Sequence, residues 1–161
     1  MKKIWLAALL MSMISILPAS LTAVYATTPT PATGYFTVTS FSFTTTKTAD
    51  GNTFYDFTNT EQLFGTFTGT SASAIRVVVH PSGDFNVVHI MTFTGTVDGK
   101  SGTMIIKFEG KGTGFGVGAP VSAQWVIQKG TADLASIHGT GTFEGHALIG
   151  GTYSGEIHFD P

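Results

Sequence analysis

Apolar and polar residues alternate along much of the chain from Tyr35 to Phe159, the period-two signature of strands that turn one face to a core. The alternation predicts a strand from Tyr35 to Phe43, a short one from Phe54 to Thr58, and another from Gln62 to Thr70. Ala74 to His80 sets Ile75, Val77 and Val79 against Arg76 and Val78, and Pro81-Ser82-Gly83-Asp84 turns the chain back. A long strand from Phe85 to Val97 follows, then Asp98-Gly99, then a strand from Thr103 to Glu109. Val121 to Gln128, His138 to Glu144 and Gly151 to Phe159 complete the set. Thr44 to Asn52 reads as a polar loop and Lys111 to Pro120 as a Gly-dense one. Helical spacing is confined to Thr131–Ile137, which is Gly-bounded and long enough for one turn.

Asp98-Gly99 between two alternating runs is a strong type I′ hairpin signal. A two-residue loop there pairs Phe93 with Met104, Met91 with Ile106 and His89 with Phe108, and every member of that face except His89 is apolar. The opposite face pairs Thr92 with Ile105, Ile90 with Lys107 and Val88 with Glu109, a mixed set. Phe85, Val87, His89, Met91 and Phe93 are therefore expected to point inward with Met104, Ile106 and Phe108. By the same alternation Val121, Ala123, Trp125 and Ile127 point inward, as do Tyr153, Ile157 and Phe159, leaving Glu156 and His158 outside.

About eight strands in sequential hairpins, with no helix to cover a sheet, protect their edges by closing on themselves. The expected fold is all-β, a single antiparallel closed β-barrel, with a β-sandwich as the alternative. The 13 Phe supply the core, each large aromatic burying on the order of 150–250 Å². An eight-stranded barrel is just wide enough to be filled by side chains or to hold one small ligand.

The first residues have a different grammar. Lys2 and Lys3 precede an uncharged apolar run from Ile4 to Leu17, Pro18 ends it, and Val24-Tyr25-Ala26 is a small-residue cleavage site. Residues 1–26 thus read as a cleavable signal peptide, too short in its apolar part to span a bilayer, which needs about 20 residues. Residues 27–33 (TTPTPAT) read as a Thr/Pro-rich tether and 34–161 as the barrel domain. The expected location is secreted or periplasmic, with no stable membrane span after cleavage. Zero Cys excludes disulfides and thiolate metal sites, so packing alone holds the domain. Scattered charges with a slight acidic excess exclude a nucleic-acid footprint.

Gly34-Tyr35-Phe36-Thr37-Val38-Thr39-Ser40 resembles the opening strand of a bacterial domain family of unknown function with an allene oxide cyclase-like, calycin-like barrel, distantly dirigent-like. Phe93-Thr94-Gly95-Thr96-Val97-Asp98-Gly99-Lys100-Ser101-Gly102 resembles its central hairpin. Trp125-Val126-Ile127, and Ala132 to Glu144 with its Gly139-Thr140-Gly141-Thr142-Phe143 core, are similar to its tryptophan strand and the strand after it. The resemblance covers nearly all of residues 34–161 and implies a barrel fold without implying chemistry. Members of that family often carry a Glu and a His where this chain has Met91 and Phe108. That departure implies a hydrophobic lumen in place of the polar pair.

His89 is the one ionisable residue expected on the inward face of the central hairpin, a weak candidate for orienting a ligand or acting as a general base. Its competing role is that of a buried His satisfied by one hydrogen bond. Trp125 is either the floor of a pocket or packing. His80, His138, His146 and His158 lack metal-ligand spacing, and Glu109, Glu144 and Glu156 fall at solvent-facing positions, so no metal and no cofactor are expected. Gly110 to Gly118 lacks the following helix of a phosphate loop and reads as a flexible barrel-mouth loop. Three functions stay open. The first is lipocalin-like binding of a small apolar or amphipathic molecule, lined by Phe85, Val87, His89, Met91, Phe93, Met104, Ile106, Phe108 and Trp125. The second is a cofactor-independent cyclase or isomerase. The third is a non-catalytic module with a filled barrel, for which self-association would fit.

Overall fold

The structure, a computed structural model, describes residues 27–161; the expected signal segment 1–26 lies outside the described residues. Eight antiparallel strands follow one another: β1 (Thr30–Ala49), β2 (Asn52–Gly65), β3 (Phe67–Val79), β4 (Asp84–Val97), β5 (Lys100–Thr113), β6 (Pro120–Gly130), β7 (Ile137–His146) and β8 (Gly150–Phe159). Each pairs with the next, and β8 returns to β1, closing a barrel. Among the described residues the one helical element is a 3-10 turn at Ala132–Leu134, inside the segment expected to hold a single turn.

The central hairpin has the expected register: Phe93 faces Met104, Met91 faces Ile106 and His89 faces Phe108. Asp98 (φ 49°) and Gly99 (φ 79°) both take left-handed conformations, as a type I′ turn requires. Asp50 (φ 51°) and Gly51 (φ 77°) form a second turn of the same kind. Thr44 to Asn52 is therefore not a loop: β1 runs to Ala49 and β2 starts at Asn52. The two strands expected at 54–58 and 62–70 are also redrawn. One strand spans Asn52–Gly65, the corner falls at Gly65 and Thr66, and β3 begins at Phe67. Gly65 takes φ 101° there, and Thr66 seals the corner by donating its N–H to the Thr33 carbonyl at 2.9 Å. Strand β1 also begins earlier than the composition suggested. Thr30 to Thr33 pair with Ile157 to Ser154, and Ala32 is fully buried, so this part of the Thr/Pro segment belongs to the sheet.

The lumen has two unlike halves. Leu63, Phe67, Met91, Phe93, Met104, Ile106, Trp125, Ile127, Ile137, Tyr153 and Ile157 fill one of them. Trp125 lies flat enough against β7 and β8 to need glycine there, because a Cβ at Gly141 would fall 2.5 Å from its ring. Its indole N–H donates to the Thr142 carbonyl at 3.1 Å. Tyr153 stacks on Phe67 at 4.8 Å, accepts the Phe67 N–H at 2.8 Å and donates to the Phe64 carbonyl at 3.1 Å. Burial pushes its phenol up to about 12, against the lowering effect of the Phe67 N–H. The other half, around Phe57, Ile75, Val77 and Phe85, is only partly filled.

Substituting Gly141→Ala should drive a Cβ into the Ser154 carbonyl and the Trp125 ring and cost on the order of 1–3 kcal/mol of unfolding free energy in urea titration. Tyr153→Phe should cost about 1–3 kcal/mol by stranding two buried backbone groups. Since folding raises the Tyr153 pKa, its stabilising share is intact below pH 10 and is lost as pH rises from 10 towards about 12. The Phe variant should show a shallower loss of stability over that alkaline window.

Candidate ligand-binding site

The register of three neighbouring strands builds the partly filled half. On β2, Phe57, Asn59 and Glu61 alternate inward before Leu63 joins the packed half. On β4, Phe85, Val87 and His89 do the same before Met91, and between these strands β3 offers Ile75 and Val77. These residues surround a narrow cavity of about 70 Å³, continuous with solvent. Phe36, Phe108, Ala123 and Phe143 belong to both the cavity wall and the packed core, so they form its floor. Val38, Phe115, Ala147 and Leu148 stand towards the open end.

The floor is not purely hydrophobic, which corrects the expectation drawn from Met91 and Phe108. Glu61 is 1% exposed and His89 8%, and Glu61 Oε1 lies 3.2 Å from His89 Nε2. Ser71 sits opposite Glu61 in the β2–β3 ladder and Ser73 opposite Asn59. Both hydroxyls donate to Glu61 Oε2, Ser73 at 2.9 Å. Small side chains at these inward positions leave the volume that the carboxylate occupies. The His89 ring is held by stacking on Phe108, centroids 4.9 Å apart, and by an edge-on contact with Phe36 at 6.4 Å.

Burial by itself raises the Glu61 pKa. The His89 hydrogen-bond and charge contributions, joined by Ser71 and Ser73, outweigh it and hold the carboxyl below the usual glutamate range. Glu61 Oε1 and His89 Nε2 therefore face each other as a buried ion pair at 3.2 Å. Asn59 Oδ1, in the same wall, is sealed from solvent without a hydrogen-bond partner. Orphaned polar atoms are rare in native interiors, each costing on the order of 1–3 kcal/mol.

The sequence-derived lining divides in two. Phe85, Val87, His89 and Phe108 line the cavity, whereas Met91, Phe93, Met104, Ile106 and Trp125 lie in the packed half. Trp125 is therefore packing and not a pocket floor. Asn59, Glu61, Ser71 and Ser73 escaped the sequence reading because residues 59–61 and 71–73 fell between expected strands. The alternation of Phe57, Asn59, Glu61 and Leu63 along one continuous strand is the signal that locates them. Elsewhere, His138 and His158 stack at 5.3 Å and share Asp160, at 3.0 and 3.6 Å, on the outer surface. Among the described residues no group of three or more His, Asp or Glu side chains is placed to hold a metal, and no helix is long and apolar enough to cross a membrane.

Fold and site together describe a small antiparallel β-barrel with one packed end and one open, polar-floored end. Residues 32–154 match the family of proteins of unknown function DUF3224, and the chain belongs to it. A crystal structure of a DUF3224 protein of unknown function from Shewanella oneidensis MR-1 is similar in fold, with a TM-score of 0.63. That likeness has 17% identity and covers 83% of this chain and 99% of the other. No curated protein matches this chain.

Because folding lowers the Glu61 pKa, its contribution is fully present above the ordinary value of 4.5 and is lost as pH falls through the depressed folded-state value. Glu61→Gln should therefore lose less stability than the wild type when unfolding is followed from neutral pH to about pH 3. An unchanged acid slope would mean that the carboxylate is not held as described.

Proposed function

We propose that this protein is an exported β-barrel that binds a small amphipathic molecule in the open half of its lumen. The apolar part of the guest lies against Phe57, Ile75, Val77 and Phe85, and its polar end reaches Asn59, Glu61 and His89. The observation that carries this reading is an otherwise apolar cavity, open to solvent, with a buried Glu61–His89 pair and the unpartnered Asn59 amide oxygen in its wall. A ligand that donates to Asn59 turns that cost into affinity. Native mass spectrometry of residues 27–161 purified from its own source, followed by denaturing extraction, tests it. A stoichiometric small molecule is expected, and a clean apo mass with no uptake of any amphipathic probe would overturn it.

The Glu61–His89 pair favours a second reading, a cofactor-independent isomerase or cyclase. A carboxylate beside an imidazole on the floor of a largely apolar cavity is the equipment for moving a proton on a bound substrate. In that case the compound recovered from Glu61→Gln protein differs from the compound recovered from wild type, being substrate in one and product in the other.

The two halves of the lumen also respond differently to added volume. Val87→Phe should fill the cavity, abolish ligand uptake and change stability by less than about 1 kcal/mol. Met91→Trp, in the packed half, should cost about 1–3 kcal/mol by overpacking. Equal costs in chemical denaturation would show that the open half is not a cavity in solution.

A further inference from the structure

We infer that a second copy of this chain supplies the wall strand that the barrel lacks, the two β1 edges pairing antiparallel about a twofold axis at Ser42. The inference is independent of the ligand reading. Strand β8 leaves β1 at Thr37, and the Val38 N–H donates to the Ile149 carbonyl at 2.8 Å, so the free edge of β1 begins at Thr39. That edge offers a row of backbone N–H and C=O groups, and an extended strand is what matches such a row. Exposed edges are commonly guarded by charge, proline or bulges. Thr39–Thr45 holds no charge and no proline, and the nearest charge is Lys47. Bulges are present, and here they make the edge complementary to itself.

The register of β1 slips at Thr39 and again at Thr44, neither of which has a facing residue on β2. Val38, Phe41, Phe43 and Thr46 face Glu61, Asn59, Phe57 and Tyr55 of β2, and so lie on the lumen side with them. Those four positions are symmetric about Ser42, which is midway between 38 and 46 and between 41 and 43. An antiparallel copy centred there sets lumen-side residues against lumen-side residues, whereas a slip of one residue sets them against solvent-side ones. Phe41 of each copy then comes opposite Phe43 of the other. These rings are 43% and 47% exposed in the single chain and already touch edge-on at 5.9 Å, and cross-strand aromatic pairs stabilise a sheet. Pairing ends where Thr46 of one copy comes level with Val38 of the other, whose N–H is taken, and the incoming hairpin tip there meets the exposed Ile149. A lipid surface would cover the same rings but leave the edge groups without partners, which an apolar phase makes costly. A foreign strand would serve one edge, whereas the twofold arrangement serves both.

Analytical ultracentrifugation of residues 27–161 tests for a concentration-dependent dimer, and cross-linking tests its register. The chain has no Cys, so Ser42→Cys introduces a single exposed thiol at the axis. Facing residues of an antiparallel pair have Cα atoms about 4.5–5.5 Å apart, within disulfide reach. Ser42→Cys should therefore oxidise readily to a covalent dimer. Thr58→Cys, exposed in the same row on β2, should not, because about 14 Å (three strand spacings) would separate it from its counterpart. Ser42→Lys sets like charges face to face and should raise the dissociation constant about fivefold or more. Phe41→Lys, which alters both copies, should raise it at least roughly a hundredfold, with circular dichroism checking the fold. A chain that stays monomeric to its solubility limit overturns the inference. That includes a monomer that binds phosphatidylcholine vesicles through the same rings, which would assign them to a lipid surface. A dimer that Ser42→Cys does not lock uses another face and overturns it as well. The wild-type mass and the Ser42→Cys cross-link decide the matter even where Phe41→Lys does not fold.

Discussion

The stagger of β1 between its two neighbours governs the shape of this barrel. Strand β8 covers β1 only from Thr30 to Thr37, whereas β2 covers it from Gly34 to Ala49. The ring therefore closes tightly at one level and opens at the other, where no strand among the described residues pairs with the far edge of β1 beyond Val38. Where the ring is tight, inward side chains meet across the lumen and pack to the density of a core. Where β8 has ended, the inward side chains of β2, β3 and β4 lack some of their opposite numbers, and space remains. A bulge between Val38 and Ser40 shifts which residues of β1 face that space. Phe41 and Phe43 come opposite Asn59 and Phe57, on the inner side, and stay 43% and 47% exposed.

Within that geometry the buried Glu61 carboxylate has a definite support. Its Oε2 is held by two serines of the neighbouring strand, and its Oε1 is left towards His89. Ser71 faces Glu61 in the β2–β3 ladder, Ser73 is the next inward residue of β3, and His89 of β4 is level with Ile75, one inward place further on, so all three partners come from ladder strands. No loop movement is needed to form it. The packed half supplies the rigidity beneath, with Phe108 and Phe36 fixing the His89 ring from the floor. A site on strands of a packed barrel is held more precisely than one on loops.

How much of this was legible in the sequence depended on local signals. Asp98-Gly99 lies between runs with clear apolar alternation, and the hairpin, its register and the inward placing of His89 could be read directly. Asp50-Gly51 is the same dipeptide in the same turn, but Thr-rich flanks hide the alternation, so a hairpin read as a loop. The corner at Gly65 and Thr66 was illegible for a different reason. It is stabilised by Thr33, over thirty positions earlier, through the Thr66 N–H and the Thr66 hydroxyl. A turn held by tertiary hydrogen bonds leaves little local trace, and misplacing it removed Asn59 and Glu61 from the expected lumen. The emptiness of one half was equally hidden, since inward apolar residues look alike whether or not something faces them.

The energetics of the cluster bear on what it is for. A chain with no disulfide depends on packing, and burying a charged carboxylate works against that. Buried ionic groups can often be replaced by well-packed apolar residues without loss of stability, so folding alone gives little reason to keep Glu61, His89, Ser71 and Ser73 together. The packed half shows what this chain does when only stability is at stake. Its one fully buried hydroxyl-bearing ring, Tyr153, both donates and accepts a hydrogen bond, and its one indole N–H is satisfied. Polar groups are thus fully paired where the barrel is closed and incompletely paired where it is open. That contrast within a single lumen is what a binding site waiting for its guest would leave, and it is the reason the open end, rather than the outer surface, is the place to look for this protein's chemistry.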